Sequence, residues 1–294
     1  MSSILAPYSW LLAPAGTPAP YPESMQNYVN MLPIAEQAAR AGGEQLRAWR
    51  RKFAVKEKGK FDLVTDADHA AQQAVKQVLM SAFPEHAFLG EETPLVEKQE
   101  LLKSTKPLWV VDPLDGTTNY VHDFPCYAVS IGLVVDHEVK LGVIYDPSRD
   151  ELFAAVQGHG ATLNGEQLIC TKSASLGDAL IAVGFPANLR GNEHVIEAWK
   201  WFGYESQSMR RTGSSALNLA YVAAGRLDGF FAFQICPWDI TAGIILVEEA
   251  GGRISKLDGT TYDPLAETVF ISSNGLLHAA LLRGLQAVMS GGKP

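Results

Sequence analysis

Carboxylates recur in this chain at the points where an apolar run ends or a helical pattern begins. They are Asp66 and Asp68, Glu91 and Glu92, Asp112 and Asp115, and Asp239. Carboxylate oxygens are hard donors that suit divalent cations such as Mg²⁺. The stretch Trp109 to Tyr120, WVVDPLDGTTNY, adds a second chemistry. Leu108 to Val111 is an apolar, β-branched run that reads as a buried strand. Pro113 fixes its own φ and donates no backbone hydrogen bond, so the strand is expected to stop there. Gly116, Thr117 and Thr118 then let the backbone approach a ligand closely. Free N–H groups at a turn or helix start suit a phosphate. A strand that ends in acids and turns through Gly-Thr-Thr is a place to hold cations and an anion together. A single Asp-Gly pair is ordinarily only a turn. The weight comes from the repetition of the design, since Ala87 to Gly90 is again a short apolar strand ending in acids, Glu91 and Glu92.

These groups must be positioned by a chain of 294 residues, 47% hydrophobic and 19% charged, which is long enough for a large core in one domain or two closely packed ones. The net charge is −8 and there is no basic run, which argues against nucleic acid or an anionic membrane as the main partner. An acidic protein can still bind an anionic substrate if metal ions reverse the local field. Cys126, Cys170 and Cys236 are few and far apart, without disulfide or zinc spacing, which fits a reducing cytoplasm. No apolar run is long enough to span a bilayer. Residues 1–22 read as a Pro/Ala-rich extension, without the basic segment of a signal peptide.

A helical pattern runs from about Ser24 to Arg51, with Pro33 as a possible kink and Gly42-Gly43 as a weak point. Thr65 or Asp66 is a natural N-cap for a second helix to about Phe83, ended by Pro84. Capping accounts for Asp66, but not for Asp68. Tyr127 to Phe153 reads as antiparallel strands, continued from Gly158 to Leu168 with a hairpin turn at Asn164-Gly165. From about Asp178 strands and helices alternate. Strands are expected over Ala179–Val183, Asp228–Phe233, Arg253–Lys256 and Val269–Ser272. Helices are expected over Asn192–Trp201, Ser214–Ala224, Ile240–Ala250 and Leu276–Met289. The fold class is therefore α+β, an antiparallel half (23–176) followed by a smaller α/β half (177–294).

The motifs DLVTDAD (Asp62 to Asp68), GEET (Gly90 to Thr93), WVVDPLDGTTNY and PWDITAGIILVEEAGG (Pro237 to Gly252) appear together and in order. On these motifs the chain resembles the inositol monophosphatase family of Mg²⁺-dependent, lithium-sensitive phosphatases, from about Tyr28 to the last helix. The resemblance implies a layered αβαβα sandwich, often a homodimer. It implies that Glu91, Asp112, Asp115 and Asp239 ligate two or three Mg²⁺ ions, with Mn²⁺ as a substitute, and that the Leu114 carbonyl is a further ligand. Glu92 would bind water on a metal. Gly116 and Thr117 would offer N–H groups to the phosphate. Thr117 and Asp68 would orient and deprotonate the attacking water. Gly213, Ser214 and Ser215 would touch the alcohol part of the substrate.

The match departs from the family at one place. Inositol-preferring members commonly carry a Glu seven residues before the aspartate of the Trp-Asp pair, where it bonds a ring hydroxyl. Here that position is Ala232. Arg210 and Arg211, just before Gly213, are candidates for a second anionic group, with at least one expected to be solvated. His122 is expected to be solvated or structural. The leading expectation is Mg²⁺-dependent hydrolysis of a small polyol phosphate such as inositol 1-phosphate. The alternatives are another family substrate (histidinol phosphate, a sugar bisphosphate or a 3′-phosphonucleotide), or a non-catalytic binding protein on the same fold.

Overall fold

A computed structural model describes residues 23–59 and 62–291. The Pro/Ala-rich extension lies outside the described residues.

The described residues open with helix α1 (Glu23–Trp49), which runs unbroken through Pro33 and through Gly42-Gly43. The glycine pair is a contact device rather than a weak point. A Cβ at Gly42 would lie 2.9 Å from Val75, and one at Gly43 would lie 2.5 Å from the Tyr145 ring. Their bareness lets α1 lie close to its neighbours. A short hairpin, β1 (Val55–Gly59) and β2 (Asp62–Thr65), leads into α2 (Asp66–Ala82). Helices α1 and α2 pack together on one face of the larger sheet.

That sheet comprises β3 (Ala87–Gly90), β4 (Leu108–Asp115), β5 (Ala128–Val135), β6 (Glu138–Asp146), β7 (Glu151–Val156), β8 (Ala161–Leu163) and β9 (Glu166–Gln167), in that spatial order. The β3–β4 pair is parallel and the rest are antiparallel. Two short helices flank β4, α3 (Leu95–Leu101) before it and α4 (Thr117–Val121) after it. The Asn164-Gly165 turn forms as expected, with both residues at positive φ, 50° and 87°.

The remaining elements are β10 (Leu180–Gly184), α5 (Glu193–Glu205), β11 (Ser208–Arg210), α6 (Ser215–Ala223), β12 (Gly229–Phe233), α7 (Pro237–Glu249), β13 (Arg253–Ser255), β14 (Val269–Ser273) and α8 (His278–Met289). The smaller sheet has the order β11-β10-β12-β14-β13. It is parallel on the β10 side and antiparallel around β14. Helices α6 and α7 lie between the two sheets, and α5 and α8 cover the outer face of the smaller one. The result is the five-layered αβαβα sandwich. The middle core joins Val110 and Ile144 of the larger sheet, Leu219 and Ile245 of the helices, and Phe230 and Phe270 of the smaller sheet.

One strand expectation is corrected. Strand β4 does not stop at Pro113 but continues to Asp115. Its partner register passes from Asp112↔Ser130 to Asp115↔Ala128, so three steps on β4 oppose two on β5. The extra residue is a bulge, the kind of site where a strand tolerates proline. It also re-aims the backbone between the two aspartates.

Candidate active site and metal centre

The acids converge because four elements end at the same place. Strand β3 runs parallel to β4 with Gly90 opposite Val111, which sets Glu91 beside the aspartates of β4. The Glu91 N–H donates to the Val111 carbonyl at 3.0 Å. Asp68 sits in the first turn of α2, and Asp239 in the first turn of α7. Carboxylates are favoured there by the helix dipole.

Two groups result. Oxygens of Asp68, Glu91 and Glu92 lie within 4.8 Å of one another, as do oxygens of Asp112, Asp115 and Asp239. Hydrogen bonds hold the four aspartates in place. Asp112 accepts from the Leu114 N–H at 2.9 Å. Asp115 accepts from the hydroxyl of Ser214 and from the N–H groups of Ser215 (3.1 Å) and Ala216 (2.9 Å), at the start of α6. Asp239 accepts from the Cys236 N–H at 2.9 Å. Asp68 accepts from the Thr65 N–H at 2.8 Å and the Thr65 hydroxyl at 2.6 Å. Asp68 therefore does cap α2, in a capping box with Thr65, against the expectation that capping would not account for it. Its other oxygen faces Thr117, whose hydroxyl is 3.4 Å away and donates to the Leu114 carbonyl at 3.1 Å.

The electrostatics are those of a site short of positive charge. Burial, followed by the charges of Glu91, Asp115 and Asp239, holds the Asp112 carboxyl well above the usual carboxylate range. Burial pushes Asp115 up to about 6 against the pull of the donors at Ser214 and at the start of α6. Asp239 is pushed up to about 8 by its low-dielectric surroundings and by the charges of Asp115 and Glu91. Among the described residues no lysine or arginine pairs with Asp112, Asp115 or Asp239. Crowded, oxygen-only donors without a cationic partner fit hard divalent cations. Glu92 is close enough to offer an oxygen directly, beyond the water-binding role expected of it.

Beside the acids opens a cavity of about 360 Å³, whose walls include Gly116, Thr117, Gly213, Ser214 and Ser215. Gly116 has φ of 95°, and a Cβ there would sit 2.9 Å from the Cys126 carbonyl, so the turn requires glycine. All the expected site residues are thus in or beside one cleft. Arg210 is not among the wall residues. It is exposed, with its guanidinium on Ser208. His122 follows α4 as its C-cap.

Sequence reasoning missed several residues. The Asn119 amide donates to the carbonyls of Cys126 (2.7 Å) and Thr212 (2.8 Å), tying the Gly116 turn to the Gly213 segment. The Gln72 side chain accepts from the Glu92 N–H at 3.0 Å. The Lys98 ammonium donates to the Glu91 carbonyl at 2.5 Å and lies 4.1 Å from the centre of the Trp238 ring. Asn119 and Trp238 stand inside the motifs and were open to notice. Gln72 and Lys98 carry no local signal.

Comparison with known proteins agrees with the geometry. The profile of the inositol monophosphatase family matches residues 27–290. The chain is 39% identical to the Nus factor SuhB of Pseudomonas aeruginosa, over 87% of this chain and 96% of that one. It is 37% identical to inositol monophosphatase 2 of Solanum lycopersicum, over 89% and 98%. Among solved structures, the inositol monophosphatase of Anabaena superposes with a TM-score of 0.78 at 36% identity, covering 88% of this chain and 96% of that one. Family match, fold and acid clusters together carry the assignment: the chain belongs to the inositol monophosphatase family of metal-dependent phosphatases.

Proposed function

We propose that the protein hydrolyses a small polyol phosphate monoester, of the inositol 1-phosphate type, by attack of water with Mg²⁺ as the working cation. The observation that carries this reading is the pairing of two acid groups with a cavity whose walls include the Gly116-Thr117 turn and carry no acid. Asp112, Asp115, Asp239 and Glu91 would hold the ions, with the Leu114 carbonyl beside them. When bound, Mg²⁺ supplies positive charge for the phosphate dianion and the departing alkoxide, and lowers the pKa of the attacking water.

The chain's own groups do the rest. The first N–H groups of α4 have no partner within so short a helix and suit the phosphate oxygens. Thr117, held between Leu114 and Asp68, orients the water, and the Asp68 oxygen that faces Thr117 takes its proton. Gly213, Ser214 and Ser215 bound the space for the alcohol part. No covalent nucleophile is required. A second reading, a binding role on the same fold, is favoured by the name Nus factor borne by relatives from Pseudomonas aeruginosa and Escherichia coli. The complete acid set favours turnover.

The test is phosphate release from inositol 1-phosphate and glycerol 2-phosphate with Mg²⁺, with EDTA, and with Mg²⁺ plus Li⁺. Release that needs Mg²⁺ in the wild type and vanishes in Asp112→Asn is the expected result. Release that persists in EDTA, or in that variant, sinks the reading.

A further inference from the structure

The walls of the cavity are neutral with one exception, Arg211. Its guanidinium carbon lies 5.0 Å from the centre of the Phe185 ring, another wall residue. Several other arginines close on carboxylates, Arg50 and Arg51 on Asp123, Arg149 on Asp146 and Arg226 on Glu151, whereas Arg210 and Arg253 bond a hydroxyl or a backbone carbonyl away from the cavity. Among the described residues Arg211 has no such partner. A cation held over an aromatic face keeps its in-plane donors available for a ligand. In a protein of net charge −8, an unpaired arginine on the wall of the candidate substrate cavity calls for an anion.

The opposite requirement, a grip on ring hydroxyls, is weak here. Ala232 lies opposite Gly184 in the β10–β12 pairing, and a Cβ on Gly184 would come within 2.6 Å of the Ala232 methyl. The cavity wall formed by Val183, Gly184 and Phe185 is therefore backed by a methyl group where a carboxylate acceptor is expected from the resemblance. The reacting phosphate has its own partners in the Gly116-Thr117 turn and the cations of the acid groups. Arg211 is left over for another group.

We infer that Arg211, braced on Phe185, is a specificity residue for a second anionic group, so that the preferred substrates are phosphate monoesters whose alcohol part carries a further phosphate or a carboxylate. This inference rests on the phosphomonoesterase reading above. Arginine's planar fork recognises either group with two parallel hydrogen bonds.

Two matched pairs test it, fructose 1,6-bisphosphate against fructose 1-phosphate, and glycerate 2-phosphate against glycerol 2-phosphate. The first pair reads a second phosphate, the second a carboxylate. In the wild type the doubly anionic member of at least one pair is expected to have the higher kcat/KM. In Arg211→Gln that preference is expected to fall by about ten- to a hundredfold, mostly through KM, the loss of a charge-assisted hydrogen bond. Arg211→Lys should recover part of it. Equal kcat/KM within both pairs in the wild type overturns the inference, as does a preference unchanged in Arg211→Gln. Should no substrate be turned over, the phosphatase reading itself has failed. The subsite is then read by thermal shift, with fructose 1,6-bisphosphate against fructose 1-phosphate. Equal shifts overturn it, and a larger shift with the bisphosphate that is lost in Arg211→Gln supports it.

Discussion

The hydroxyl of Ser214 donates to the carboxylate of Asp115, 99 residues earlier in the chain. The same hydroxyl accepts from the Leu217 N–H at 3.2 Å as the N-cap of α6. One side chain thus starts a helix of the middle layer and holds an acid of the larger sheet. Ser214→Ala removes both bonds. A lost N-cap costs about 1 kcal/mol, which for a chain this long lowers the melting temperature by about 2–4 °C. Asp115 keeps the Ser215 and Ala216 amides, so kcat/KM should fall by about tenfold, the worth of one hydrogen bond to a charged group. Asp115→Asn should instead remove turnover with little change in melting. Melting curves and Mg²⁺-dependent rates of the two variants decide it. Similar rates in both would show that the Asp115 charge is not used.

The Thr117 hydroxyl bridges the Leu114 carbonyl and Asp68, at 3.1 and 3.4 Å. Thr117→Ala keeps every acid in place and removes only the hydroxyl. The expected loss is about a hundredfold in kcat, at the low end for a group that assists proton transfer, with the Mg²⁺ half-saturation nearly unchanged. Thr117→Ser should restore most of the rate. Steady-state kinetics across a Mg²⁺ series separate the two parameters. A shift in Mg²⁺ requirement with kcat intact would give the hydroxyl a purely structural role.

These residues were legible because they stand in motifs whose order along the chain is distinctive. Asp112, Asp115 and Asp239 were found from motifs, while their meeting in space follows from α7 crossing beneath β4, which no local pattern reports. The overextension at Pro113 was missed because a bulge depends on the partner strand, not on the strand itself. Gly42-Gly43 was misread because helix propensity ignores what the helix packs against. Asp68 was misjudged in the other direction, since one carboxylate can cap a helix with one oxygen and face the cleft with the other.

Lys98 gives a prediction that motifs would not suggest. Its ammonium holds the Glu91 carbonyl and rests on Trp238, the neighbour of Asp239. It therefore clamps two acid-bearing segments that come from distant parts of the chain. Lys98→Met loses a hydrogen bond and a cation–π contact, together worth about 1–2 kcal/mol. If that clamp sets the spacing of Glu91 and Asp239, the Mg²⁺ half-saturation should rise by about three- to tenfold, with kcat at saturating Mg²⁺ nearly unchanged. A loss of kcat that saturating Mg²⁺ does not restore would place Lys98 in the chemistry itself.

The raised carboxyls bear on stability as well as metal binding. Asp115 and Asp239 hold their protons up to about 6 and about 8 in the folded protein, against about 3.9 in an unfolded chain. Below about pH 4 both states are protonated and this contribution is fully present. As pH rises from there to about 8, the unfolded chain has released protons that the folded one still holds, so the contribution is progressively lost. Cations compete with those protons, and binding drives them off. Melting temperatures in EDTA should therefore decline from pH 5 to pH 8, and the rise on adding Mg²⁺ should widen over the same interval. Asp239→Asn, which cannot ionise, should flatten the EDTA curve above pH 6 and shrink the Mg²⁺ effect. A Mg²⁺ effect that is constant across the pH range, and equal in the variant, would mean that the ion binds somewhere other than among these carboxylates.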